Sequence, residues 1–348
     1  MIKCDYFGKC GGCFYFDLDQ EKYQQEKIKL LDSVNNLNIP PKWIWVSDNS
    51  RRKITLQVSA TNQLGFFKEK SKEVIAITSC PVATKKISDF LPKLQQLLGK
   101  LPHKTVKQVS IIEFDNCLSL IFYLTKDLEY TQHQKVIDFA KATNCNISSH
   151  KDGQTSPVIK LQNNQININD FTLNLDSNIF IQATKTGLKN IVDIVTDEIK
   201  NGDNINNVAD IYSGFGIYSF AISKIVKNIS CFEGSSDMTN LVKENVKINR
   251  VKNILANRRD VFQNPVDKRQ LNKFDLALLN PPRNGATPQI KEIAKSELKN
   301  LIYVSCSPTT FFNDAKILID SGFKIKKLYA LDQFYLTKHL ELIGVFTK

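Results

Sequence analysis

From Asn207 onward the chain alternates short apolar runs with runs of helical period, and that alternation leaves few folds open. Asn207 to Tyr212, Ile229 to Phe232, Ile254 to Asn257, Phe274 to Leu279 and Leu301 to Val304 read as strands, with helices between them. Parallel strands need a crossover long enough to hold a helix, so this pattern predicts a parallel sheet with helices on both faces. Lys324 to Leu331 and Leu340 to Phe346 complete the series. In such sheets ligands and chemistry collect at the strand ends.

The first strand ends in Asp210-Ile211-Tyr212-Ser213-Gly214-Phe215-Gly216, just before a helix read from Ile217 to Val226. Gly214 and Gly216 let a ligand approach the backbone there. Dinucleotide enzymes add a third glycine, and Ser219 stands in that place. Glu233, at the end of the second strand, is placed either to accept two ribose hydroxyls or simply to cap a helix. With Asn280-Pro281-Pro282 after the fourth strand, the set favours S-adenosylmethionine over a dinucleotide. Cys306 lies between Ser305 and Ser307, ahead of a helix starting near Pro308. A helix N-terminus lowers a thiol's pKa and makes it a nucleophile; a structural cysteine is the alternative.

The amino-terminal half carries a second signal. Cys4, Cys10 and Cys13 form C-x5-C-x2-C, and Cys80 follows in Thr78-Ser79-Cys80-Pro81. Four thiolates can hold zinc or an iron-sulfur cluster. The paired C-x2-C motifs of a zinc ribbon are missing, and three clustered cysteines plus a distant one suit a cubane cluster better. A helix over Asp19 to Leu37, strands at Ile54 to Val58, Leu64 to Lys70, Val74 to Thr78, Val106 to Glu113 and Leu118 to Leu124, and one helix over Lys85 to Leu98 make a small α+β module. Arg51, Arg52, Lys53, Lys68, Lys70 and Lys72 beside Phe66 and Phe67 give the basic and aromatic mix used on RNA, or a solvated charged edge. The chain turns polar and Asn/Gln-rich from Asp152 to Ile168, which marks a boundary.

Composition agrees with a polyanion partner: 47 Lys+Arg against 35 Asp+Glu give a formal charge of +12. No run reaches the roughly 20 apolar residues of a membrane span. Eight cysteines in a chain read as cytoplasmic point to ligands and catalysts before disulfides.

Taken together these motifs resemble the RNA uracil-5 methyltransferases that carry an iron-sulfur cluster, in the short form without the amino-terminal TRAM barrel. The resemblance rests on C-x5-C-G-G-C with Cys80-Pro81, Phe180-Ile181-Gln182, Asp210 with Gly214-Phe215-Gly216, Glu233-Gly234, Asn280-Pro281-Pro282-Arg283, Tyr303-Val304-Ser305-Cys306 and His339-Leu340-Glu341. It implies a class I, Rossmann-like methyltransferase domain with a smaller α+β iron-sulfur and RNA-binding module. It implies a 4Fe-4S cluster on Cys4, Cys10, Cys13 and Cys80, and S-adenosylmethionine held by Gln182, Asp210, Tyr212, Gly214, Gly216, Glu233 and Asn280. Cys306 would be the nucleophile and Glu341 the general base.

The implied substrate is a uridine of 23S rRNA, with the tRNA T-loop as the alternative, acted on by a cytoplasmic monomer. Expected boundaries are a cluster segment over 1–18, a helical linker over 19–50, an RNA-binding module over 51–165 and a catalytic domain over 166–348. Ser213, Asn280 and Ser307 depart from the family's commoner Cys, Asp and Asn. Phe215, Phe311 and Tyr335 are candidates to stack on a flipped base. Two further readings are an RNA cytosine-5 methyltransferase and an inactive cluster-bearing RNA-binding protein. The first needs a second cysteine where Arg283 stands, and the second leaves Cys306 and Glu341 without a task.

Overall fold

Every residue of Leu276–Leu279 is buried, as a strand covered on both faces requires. It lies near the middle of an eight-stranded sheet in the computed structural model, which describes residues 3–15, 18–202 and 204–348. From one edge the strands are Lys42–Trp45, Lys324–Asp332, Glu341–Thr347, Asn300–Ser305, Leu276–Leu279, Asn207–Ile211, Asn228–Glu233 and Ile254–Arg258. Glu341–Thr347 runs antiparallel to both of its neighbours, and the other pairings are parallel. Chain order reverses between Asn207–Ile211 and Leu276–Leu279, which makes a topological switch point.

Each face of the sheet has its own apolar core. Ile191, Val195, Tyr218 and Phe220 pack on one side, and Ile290, Ile293, Phe311 and Phe312 on the other. Thr184 caps the helix Lys185–Lys200 by accepting from Gly187 N at 2.8 Å.

The stretch expected to be a helical linker does more than link. Its helix is Gln20–Asp32, capped by Asp19, and the following Lys42–Trp45 joins the edge of the catalytic sheet. This helix is tied to the same sheet by a buried ion pair, Lys27 Nζ to Asp332 Oδ1 at 2.8 Å. Tyr23 OH donates to the other oxygen of Asp332 at 2.5 Å.

A second sheet of seven strands has the order Val74–Ala76, Leu64–Phe67, Lys53–Val58, Val106–Glu113, Leu118–Leu124, Cys145–Lys151 and Gln154–Ile159. The helix Tyr130–Thr143 makes the crossover between its one parallel pair. One expectation needs correction here. The helix over Lys85 to Leu98 is two helices, Lys85–Ser88 and Leu91–Gly99, since Pro92 restarts the turn. The polar region from Asp152 is largely strand, in Gln154–Ile159 and then the hairpin Asn164–Ile168 with Phe171–Leu175. Most of its polar side chains face solvent, while Asn164 is buried and accepts from Asn146 Nδ2 at 2.7 Å; Asn146 Oδ1 in turn accepts from Leu161 N at 2.9 Å.

The two sheets meet beside the switch point. Arg52 N donates to Ala183 O at 2.9 Å, and the Arg52 Nε donates to Gln182 O at 2.9 Å.

Candidate active site

The turn after Ile211 is forced into left-handed backbone three times, with φ of 62° at Tyr212, 55° at Gly214 and 79° at Gly216. Glycine takes such angles freely, whereas Tyr212 takes them at a cost that the surrounding structure must meet. The Glu233 carboxylate braces the turn, accepting from Gly214 N at 3.0 Å and from Ser235 N at 2.8 Å. A carboxylate has about four acceptor positions, so two stay free for hydroxyl groups.

This turn forms one wall of a cavity of about 560 Å³. Gln182, Tyr212, Gly214, Glu233 and Asn280 line it, and so do Arg283, Cys306 and Glu341. Two residues expected to touch a cofactor stand outside it. Asp210 is wholly buried beneath the turn, where Ser219 Oγ donates to it at 2.6 Å. Burial pushes its carboxyl up to about 7. Gly216 occupies the N-cap of the helix Ile217–Ile222, again behind the wall. Both hold the turn's shape from below.

Cys306 follows Asn300–Ser305, and Glu341 opens the neighbouring antiparallel strand. Ser305 pairs with Leu342, so the next residues outward are Cys306 and Glu341. The thiol's pKa is raised, not lowered as expected from the helix that follows it. Desolvation is the main cause and the Glu341 charge adds to it; Arg283 pulls the other way by charge and by a side-chain hydrogen bond. Burial pushes the Glu341 carboxyl up to about 7, against the hydrogen bond from Gln333 Nε2 at 2.9 Å.

Sequence reasoning overlooked two parts of this cavity. Arg52 was expected on a surface, yet it is 1% exposed, lines the cavity and has an Nη2 without a hydrogen-bond partner among the described residues. Phe180 is 66% exposed at the cavity while Ile179 and Ile181 are buried. An apolar side chain out of step with its neighbours was the signal available for it. Of the proposed stacking residues Phe215 lines the cavity, Phe311 is locked in the core and Tyr335 packs on Tyr23 at 5.2 Å. Arg51 is also absent from the expected basic face, and it lies with Lys53 in a separate cavity.

That separate cavity, about 310 Å³, is lined by Cys4, Cys10, Cys13 and Cys80. All four are free, and Gly12 N donates to Cys10 Sγ at 3.4 Å. Burial and the neighbouring sulfurs of Cys80, Cys10 and Cys4 push the Cys13 thiol up to about 12. Among the described residues no group of three or more His, Cys, Asp or Glu side chains is preformed as a metal site. The all-sulfur donor set, gathered round one hollow with a backbone N–H on sulfur, fits a thiolate-ligated centre.

Lying at the switch point, the braced turn and the free acceptors of Glu233 define the class: an S-adenosylmethionine-dependent methyltransferase of Rossmann-like fold. The model of the tRNA (Uracil-5-)-methyltransferase family matches residues 19–348, and the chain belongs to that family. It is accordingly an RNA (uracil-5-)-methyltransferase that uses S-adenosylmethionine.

The 23S rRNA (uracil(1939)-C(5))-methyltransferase RlmD of Haemophilus parainfluenzae is 27% identical over 99% of this chain and 82% of that protein. An uncharacterized RNA methyltransferase of Caulobacter vibrioides is 28% identical over 99% of this chain and 85% of its own length. Among solved structures, the Pyrococcus abyssi tRNA (uracil-54, C5)-methyltransferase in complex with S-adenosyl-L-homocysteine shares the fold. Its TM-score is 0.77 at 20% identity, over 95% of this chain and 84% of that one. No helix among the described residues is long and apolar enough to cross a membrane.

Proposed function

We propose that this protein methylates C5 of a uridine in 23S rRNA through a covalent bond between Cys306 Sγ and C6 of the base. The observation that carries the reading is the meeting of Cys306 and Glu341 in one cavity beside the cofactor turn. Uracil C5 is a poor nucleophile. Addition of the thiolate at C6 turns the ring into an enolate with charge at C5, which takes the methyl group from the sulfonium. The ring then holds a surplus proton at C5. Glu341 accepts it, the C6–S bond breaks, and the thiolate of Cys306 is restored.

Arg283 stabilises the thiolate that would otherwise be costly in a half-buried site. Gln182, Tyr212, Gly214, Glu233 and Asn280 hold the cofactor, with Asp210 and Gly216 supporting them from behind. Phe180 is the exposed aromatic best placed to stack on a flipped base.

Cys4, Cys10, Cys13 and Cys80 would hold a 4Fe-4S cluster, which when bound supplies a rigid covalent tie between the amino-terminal turn and the seven-stranded sheet. We assign residues 1–18 to that segment, 51–165 to RNA binding and 166–348 to catalysis, with 19–50 bracing the catalytic sheet. The protein acts as a cytoplasmic monomer. The rRNA target is supported by the RlmD relatives, and the tRNA T-loop is the second reading on account of the family's own description. Incubation with tritiated S-adenosylmethionine and separate 23S rRNA and tRNA, followed by mapping of the labelled nucleotide, decides between them. Label at cytosine would overturn the whole assignment.

A further inference from the structure

Gln333 is 1% exposed and does not line the cavity, yet its single amide nitrogen touches both sides of the reaction. Nε2 donates to Glu341 Oε2 at 2.9 Å and to Gln182 Oε1 at 2.7 Å. An amide nitrogen carries two hydrogens, so these bonds use both. The opposite orientation would set the amide oxygen against a carboxylate. Gln182 is thereby fixed as well, and its own Nε2 donates to Tyr218 OH at 3.0 Å.

The room for this amide is built in. A Cβ on Gly187 would fall 2.5 Å from Gln333 Oε1, 2.8 Å from the capping Thr184 Oγ1 and 3.0 Å from Gln333 Cβ. That oxygen has no partner among the described residues, so the two bonds through Nε2 are the polar contacts that explain why a glutamine is buried here. The backbone is anchored next door by Asp332, through its buried pair with Lys27.

We propose that Gln333 is the positioning residue of the reaction: one amide aims Glu341 at the methylated ring and Gln182 at the cofactor, and so couples cofactor binding to release of the adduct. This rests on the reading of Glu341 as base and Gln182 as cofactor ligand.

Gln333→Met keeps the shape and removes both bonds. The variant is compared with wild type for S-adenosylhomocysteine affinity by calorimetry, and for protein–RNA adduct on denaturing gels with 23S rRNA and tRNA transcripts. Binding about two- to tenfold weaker, as loss of one hydrogen bond implies, together with adduct accumulation, is the expected result. A merely structural role would lower thermal stability without trapping adduct. Gly187→Ala, which keeps the amide but crowds it, is expected to give the same pair of effects in milder form and serves if Gln333→Met does not fold. Wild-type affinity and no adduct in a folded Gln333→Met or Gly187→Ala protein overturns the inference. Glu341→Gln and Gln182→Ala are run beside them: if the first traps adduct and the second weakens binding while the Gln333 and Gly187 variants do neither, this inference alone fails. If Glu341→Gln traps nothing, the underlying reading fails.

Discussion

Cys306 and Glu341 stand side by side at the same end of two antiparallel strands, one residue beyond the Ser305–Leu342 pair. Their distance in the chain is closed by backbone pairing, which is as rigid a support as a protein offers. The proposed nucleophile and base are therefore preset by the sheet, and the cofactor and the RNA are the partners that must be brought to them.

Replacing the proposed nucleophile separates chemistry from binding. Cys306→Ala is expected to reduce methyl incorporation to background while S-adenosylhomocysteine affinity, by calorimetry, stays within about twofold of wild type, since the proposed cofactor ligands Glu233 and Gln182 keep their bonds to Gly214 and Gln333. Retained turnover in this variant would remove the covalent route.

Under the proposed mechanism, Glu341→Gln leaves the attack on C6 intact and removes the acceptor for the C5 proton. The expected product is a protein–RNA species that survives denaturing electrophoresis and carries the transferred methyl group. An absence of that species, with transfer lost, would assign Glu341 to an earlier step.

The same residue sets a pH dependence. Burial raises Glu341 from 4.5 to about 7, so the fraction able to accept a proton grows through that range. Adduct release should rise with pH, by about tenfold per unit below the pKa, and level off above it. Stability moves in the opposite sense. Between 4.5 and about 7 the folded chain keeps a proton that the unfolded chain has released, so this group's contribution is full at low pH and is lost as pH rises through the folded value. Glu341→Gln is thus expected to raise the melting temperature at pH 8 more than at pH 5, read by differential scanning calorimetry.

Lys27 and Asp332 form an ion pair whose side chains are both fully buried. Lys27→Ala leaves the carboxylate of Asp332 uncompensated and is expected to cost about 3–5 kcal/mol, measured by urea unfolding. The double variant Lys27→Met with Asp332→Leu should recover much of that loss.

Purified anaerobically, the protein is expected to carry iron and sulfide in about equal amounts, and Cys80→Ser should lose most of both. Zinc in place of iron would transfer Cys4, Cys10, Cys13 and Cys80 to a different centre.

Elements with strong periodicity were legible in the sequence. The buried strands, Leu276–Leu279 among them, could be read because each depends on its own pattern of apolar residues. Lys42–Trp45 was not, since a four-residue edge strand shows no alternation until its partner is known. The same holds inside the site. Cys306, Glu233 and Asn280, which line one cavity, stand out by type and by position at strand ends, whereas Arg52 and Gln333 are placed by partners 130 and 151 residues away. Asp210 misled for a related reason: a carboxylate at a strand end looks the same in sequence whether it faces the ligand or holds the turn beneath. The raised pKa of Cys306 could not be foreseen, because desolvation depends on what surrounds the thiol in space.

Lys42–Trp45 completes its sheet only by lying along Lys324–Asp332. During synthesis the early strand must therefore wait, unpaired, until almost the entire polypeptide has emerged. Contacts so distant in sequence slow folding and prolong the exposure of sticky edges. A fragment starting at residue 166 would inherit the same problem from the other side, with Lys324–Asp332 left as a bare edge open to association with other chains.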